Sequence, residues 1–278
     1  MHYGTCIFPT AYTMAPGALA VALEERGFES IWVAEHTHIP ASRLSPWPGG
    51  AELPQMYYDT LDPFVVLTAM ASATSTLKVA TGICLVIERD PIITAKEVAS
   101  LDVVSGGRFM FGIGSGWNIE EMENHGTDPS TRWKLMRERV EAMKSIWADG
   151  PAEYHGDLVD FAPIHANPKP IQRPHPPIHV GGSAPHGARR AARYGNGWIP
   201  IGGRGGGILE VLPILDEECA KAGRDRSEIE VSLYYAPTDP DELSALADGG
   251  LDRAVFALPS APEEELLPIL DHLATLLS

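Results

Sequence analysis

The chain is short of several things, and each shortage excludes something. It has only three cysteines, Cys6, Cys84 and Cys219, spread over 278 residues. An odd number at such spacing supports neither a disulfide framework nor a thiolate zinc site. Basic residues are scarce as well: 21 Lys and Arg stand against 37 Asp and Glu, a net charge of −16. Phosphate backbones and anionic membranes are bound by basic surfaces, so nucleic acid and membrane are not expected partners. No apolar run is long enough to cross a bilayer. The stretch Tyr3–Phe8 is too short for a secretory signal and has no basic flank. A cytoplasmic location is the expectation. The pattern HxH occurs once, at His36 and His38, without an HExxH, and no metal site is expected.

What the chain does have is a regular alternation of apolar strands and helices. The strands are read at Tyr3–Pro9, Ser30–Glu35, Leu77–Val86, Arg108–Ile113, Pro177–Gly182, Gly197–Gly202, Ile229–Ala236 and Arg253–Leu258. A helix follows each one. Several open with proline behind an aspartate, as at Asp62-Pro63 and Asp128-Pro129. In the helix ending at Trp147, the residues Trp133, Met136, Val140, Met143 and Trp147 predict a core-facing stripe. Arg132, Arg137, Glu138 and Glu141 then form its solvated face. The eight repeats predict an α/β (β/α)8 TIM barrel as one domain over residues 1–278. An open doubly wound sheet is the alternative, and the lack of a dividing linker favours the barrel. Two stretches interrupt the rhythm. Thr37–Leu61 is an aperiodic loop with Trp47, Tyr57 and Tyr58, of the length expected for a lid over substrate. Residues 152–176 form a short insertion before the fifth strand, with a hairpin read at Tyr154–Phe161.

In a barrel the active site lies at the C-terminal strand ends. Residues 106–121, GGRFMFGIGSGWNIEE, end the fourth strand in alternating glycines. A turn without Cβ atoms lets a ligand approach the backbone. Asn118 and Glu121 have the spacing of a capping box that starts the next helix. The plain alternative is a tight turn whose glycines serve packing. Glu35 and His36 end strand two, where a titratable pair could move a proton near neutral pH. Gly181-Gly182-Ser183 and Gly202-Gly203-Arg204 end strands five and six, each before a helix. Backbone N–H groups at such turns, with the arginine fork, suit phosphate oxygens; a flexible glycine loop is the other reading. His165 and His175 are read as surface residues. These residues predict a phosphorylated organic ligand beside a histidine, and name no reaction.

A set of motifs spread over the chain resembles the bacterial luciferase-like oxidoreductases, in the branch assigned to coenzyme F420. They are Ser30–His36 (SIWVAEH), Asp62-Pro63-Phe64, Ala80–Ile83 (ATGI), Arg89-Asp90-Pro91, Leu101–Arg108 (LDVVSGGR), Gly112–Trp117 (GIGSGW) with Glu121, Pro168–Gln172 (PKPIQ) and Pro177–Gly182 (PIHVGG). The resemblance implies a TIM barrel, a homodimer, a small-molecule substrate and hydride transfer at C5 of the deazaflavin. It implies that His36 stands beside the redox ring and that Gly82-Ile83 backs it through a non-proline cis peptide. Ser115, Gly116 and Trp117 would line the cofactor, with Gly181, Gly182 and Arg204 on its phosphate side. Where the family often has Asp before the histidine this chain has Glu35. FMN on the same fold, giving an oxygen-using monooxygenase, is the first alternative; a non-catalytic flavin-binding barrel is the second.

Overall fold

The computed structural model describes residues 1–50, 52–202 and 207–277. In chain order these are β1 (His2–Ile7), α1 (Pro16–Glu25), β2 (Ser30–Val33), α2 (Met56–Asp59), α3 (Pro63–Ala73), β3 (Lys78–Thr81), β4 (Cys84–Leu85) and α4 (Pro91–Val104). Next come β5 (Phe109–Gly114), α5 (Ile119–Asn124), α6 (Arg132–Trp147), β6 (Ala152–His155), β7 (Asp160–Ile164), β8 (Ile178–Gly181) and α7 (His186–Tyr194). The chain finishes with β9 (Gly197–Ile199), α8 (Ile208–Ala222), β10 (Glu230–Tyr234), α9 (Pro240–Asp248), β11 (Arg253–Ala257) and α10 (Glu263–Ala274).

The main sheet runs β3-β2-β1-β11-β10-β9-β8-β5, and β5 pairs back onto β3. Every pairing in it is parallel, so the sheet closes into the expected eight-stranded barrel. The insertion is an antiparallel hairpin of β6 and β7, which contains the predicted span and extends beyond it at both ends. Side chains that point inward, among them Trp32, Met110, Ile199 and Tyr234, fill the barrel. A larger apolar layer joins the sheet to the helices.

The lower end is closed by charge. Arg253 is fully buried and donates to both Glu29 oxygens at 2.8 and 2.9 Å and to Ser232 at 2.8 Å. It sits under Trp32, 5.8 Å from that ring. His179 is buried beside Trp32 with neither ring nitrogen hydrogen-bonded, and burial pushes its pKa down to about 4. It is a neutral core residue.

Three readings are corrected. The strand predicted over Leu77–Val86 is broken: Ala80 pairs with Met110, but Cys84 pairs with Ile113. One extra residue is inserted there, which makes a bulge at Gly82-Ile83; that peptide is cis. Trp133 leaves the predicted core stripe: it is 39% exposed, whereas Met136, Val140, Met143 and Trp147 are buried. Glu138 is not on a solvated face. It is buried and accepts from the N–H groups of Leu158 and Val159, tying the hairpin to α6. Periodicity reports that a position faces inward, but not whether a loop later covers the opposite side.

Candidate active site

The upper mouth of the barrel holds a hollow of about 180 Å³ bounded by Gly82, Ile83, His36, Trp117, Tyr57 and Gly181, among others. Its floor is shaped by glycine. A Cβ on Gly114 would lie 1.8 Å from Ile83 Cδ1, and one on Gly82 would lie 1.7 Å from Tyr234 Oη. A side chain at either position would force Ile83 or Tyr234 to shift, so the bulge packs closely over bare backbone. The result is an apolar floor with aromatic edges. A flat ring system fits such a cradle better than a flexible polar chain would.

His36 stands at the edge of this hollow, three residues beyond the end of β2. Its ring lies 5.9 Å from Trp117 and 5.4 Å from Tyr57. Nδ1 is 2.7 Å from Oε2 of Glu121, whose other oxygen accepts from Thr37 N–H at 3.2 Å. Both side chains are nearly inaccessible, at 6% and 1%. A carboxylate on Nδ1 makes that nitrogen the donor and leaves Nε2 for a ligand. This arrangement corrects the predicted capping box. Asn118 makes no side-chain cap bond, and Glu121 turns to His36 instead of to its own helix start. The long loop supplies the cap: Ile119 N–H donates to Ser45 Oγ at 3.0 Å, while Ser45 donates through its N–H and hydroxyl to Glu120. The loop is thereby fastened to α5, which carries the histidine's partner.

Glu35 lines the hollow beside His36. It is buried, its Oε2 accepts from Leu85 N–H at 2.6 Å and its Oε1 from Arg89 Nε at 2.6 Å. Arg89 also pairs with Asp62 at 2.7 Å and Glu97 at 3.0 Å. The cluster joins the ends of β2, the bulge and two helices. Both Glu35 oxygens are occupied, and through Leu85 and Arg89 they tie the end of β2 to the bulge.

Glu88 is the group that the sequence reading passed over. It is buried just below Gly116, whose Cβ would lie 3.7 Å from its Oε1, and neither of its oxygens has a hydrogen-bond donor. Burial, then the nearby charges of Glu121 and Glu35, pushes its pKa up to about 9. Near neutral pH it is a protonated acid. The native state keeps this proton while the unfolded chain loses it above a pH of about 4.5. Stability contributed here therefore falls as pH rises from about 4.5 to about 9. Glu88→Gln removes that slope. Relative to wild type, the variant is expected to gain stability between pH 5 and pH 8, with an upper bound of about 4 kcal/mol. Urea unfolding at the two pH values checks this; a constant difference would show that Glu88 does not titrate as stated.

The remaining sequence-predicted residues divide into groups. Trp47, Tyr57, Gly116, Gly181 and Gly182 line the hollow with His36. Ser115 is buried and lies outside the lining. Ser183 and Gly202 line an adjoining hollow of about 600 Å³, which shares Ile201 and Tyr235 with the first. Tyr58 is 46% exposed and does not line the hollow, whereas Trp47 and Tyr57 do. Gly203 and Arg204 lie outside the described residues. His165 is exposed as expected, but His175 is half-buried against Trp147, 5.7 Å away. No group of three or more His, Cys, Asp or Glu among the described residues could hold a metal ion, and no described helix is long and apolar enough to cross a membrane.

Parallel barrel, bulged third strand and mouth histidine are the features of a luciferase-like barrel. Residues 12–252 match the luciferase-like monooxygenase family, and the chain belongs to that family. It is 38% identical over 282 residues to an uncharacterized protein of Mycobacterium tuberculosis, covering 100% of this chain and 99% of that one. The F420-dependent glucose-6-phosphate dehydrogenase of Kineococcus radiotolerans is 28% identical over 251 residues, or 85% of this chain and 68% of its own. The FMNH2-dependent dimethylsulfone monooxygenase of Pseudomonas putida is 30% identical over 177 residues, or 63% of this chain and 48% of its own.

Proposed function

We propose that this protein is an F420-dependent oxidoreductase that exchanges a hydride between the deazaflavin and a small organic substrate. The observation that carries the reading is the glycine-floored hollow with His36 pinned at its edge by a buried carboxylate. Bound there, the cofactor would supply the hydride chemistry. The protein's part is orientation and proton handling. Ile83 and the bare backbone of Gly82 and Gly114 give the ring a flat seat. His36 offers Nε2 to the substrate or the ring edge, and Glu121 stabilises the imidazole when it takes a proton. Trp47 and Tyr57 cover the hollow and reduce access of water. Gly181 and Gly182 leave room for the phosphate side, and Arg204 would complete it by charge.

F420 is favoured over FMN because the F420-dependent relative aligns with more of the chain than the FMNH2-dependent one. Titration with each cofactor, followed by fluorescence, tests the choice. Micromolar binding of the deazaflavin with much weaker FMN binding is the expected result. Tight FMN binding with no response to the deazaflavin would replace this reading by an oxygen-using monooxygenase. The reading includes a homodimer in the cytoplasm, which light scattering at twice the chain mass would support.

A further inference from the structure

A second cavity, of about 430 Å³, borders the ring hollow. The two share Phe8, Ala34, Gly82, Tyr234 and Tyr235, so they meet at the bulge. His36, Ile83 and Trp117 line the ring hollow only. The second cavity runs along the ends of β1 and β11, past Ile7 and Ala257, and Pro54, Gln55 and Met56 of the long loop form part of its wall. Its volume falls within the range of small-molecule pockets, about 300–1,000 Å³.

What this cavity lacks decides what it can hold. None of the described residues that line it has a carboxylate, an ammonium, a guanidinium or an imidazole. Cys6 is a neutral thiol, because burial pushes its pKa up to about 12. Gln55 Nε2 is turned to Asp59, at 3.0 and 3.1 Å from its two oxygens, and Ser260 Oγ donates to the Phe8 carbonyl at 2.6 Å. Each keeps an oxygen that can accept. The ring hollow next door brings no Lys or Arg among its described residues. A carboxylate or phosphate entering here would give up its water for acceptor oxygens and apolar walls, which is costly without a cation. Glucose 6-phosphate, the compound in the name of the Kineococcus radiotolerans relative, would meet no positive charge in the described lining.

Resting on the F420 reading above, we infer that this cavity seats the reacting substrate, and that the substrate is an uncharged, largely apolar molecule such as a cyclic alcohol or ketone. A hydroxyl on such a molecule finds acceptors in the Gln55 carbonyl and the Ser260 oxygen. Ala257 sets the space and the charge at the β11 wall, since its side chain is small and the residue is exposed.

The test is calorimetric titration of the full chain with two probes of matched ring size, cyclohexanol and cyclohexanecarboxylate. It is run once with F420 present and once with FMN. Wild type is expected to bind cyclohexanol at least about tenfold more tightly than the carboxylate. Ala257→Lys should tighten the carboxylate about tenfold, and Ala257→Trp, which fills the cavity, should weaken cyclohexanol by a similar factor. Melting temperatures should be unchanged, because residue 257 is exposed. Carboxylate binding as tight as that of cyclohexanol, or no saturable binding of cyclohexanol, would overturn the uncharged class. Unaltered affinities in both folded variants would overturn the location. If the protein takes up FMN and not the deazaflavin, the F420 reading fails, while the probe pair measured with FMN still decides the cavity.

Discussion

Replacing His36 by asparagine is expected to lower kcat by about 10²- to 10⁴-fold, the range for removing a positioned acid–base group. Deazaflavin affinity should change little. The reason is geometric. Gly82 and Ile83 line the proposed ring seat, and neither depends on the imidazole. The histidine is held for its free nitrogen: Glu121 takes Nδ1, while Tyr57 and Trp117 flank the ring. Glu121→Gln separates positioning from charge. An amide still reaches Nδ1 but cannot stabilise an imidazolium. The expected result is a smaller loss of kcat than in His36→Asn. Turnover unaltered in His36→Asn would remove the histidine from the chemistry, and full turnover in Glu121→Gln would remove the charge from Glu121's role.

Arg89→Met should be the most destabilising single change at the rim. Arg89 stands between Glu35, Asp62 and Glu97, and its guanidinium rests 4.8 Å from the Phe64 ring. Glu35 is only 4% exposed, so losing the arginine strands a carboxylate in a dry site. Breaking a buried pair from one side costs about 3–5 kcal/mol. In a chain of this length that corresponds to a fall in Tm of roughly 6–20 °C. The double change Arg89→Met with Glu35→Gln should recover a large part of the loss, because the stranded charge goes too. A double variant no more stable than Arg89→Met alone would show that the cost came from lost packing on Phe64 and not from Glu35. Since Glu35 also holds Leu85 N–H, both single variants should weaken cofactor binding through the bulge.

Much of this architecture could be read from the chain because barrel strands buried on both faces are short continuous apolar runs, and several helices start with a recognisable residue, although α6 begins at Arg132 and not at the predicted Asp128-Pro129. Asp62 and Asp90 do cap α3 and α4 through their side chains, as Pro63 and Pro91 suggested. The rim glycines and His36 were legible for a related reason: positional rules for barrels turn a strand's last residues into mouth residues. Pairings across the mouth were not. Glu121 meets a histidine 85 positions away, and Arg89 meets Glu35 across 54. Local spacing assigned Glu121 to its own helix, since a three-residue interval is all a capping rule sees. Glu88 was invisible for the same reason: its pKa comes from what covers it. Trp133 shows the limit of periodicity. It has core spacing, but the guanidinium of Arg190, which stacks on it, comes from a separate helix.

The central claim is that one apolar seat at the barrel mouth holds the deazaflavin within reach of His36. A crystal of the protein soaked in F420 tests it most directly. The expected density places the tricyclic ring against Ile83, with His36 Nε2 at its edge and the phosphate passing Gly182. Density for the ring anywhere else, or a ring at the mouth with His36 turned from it, would contradict that claim.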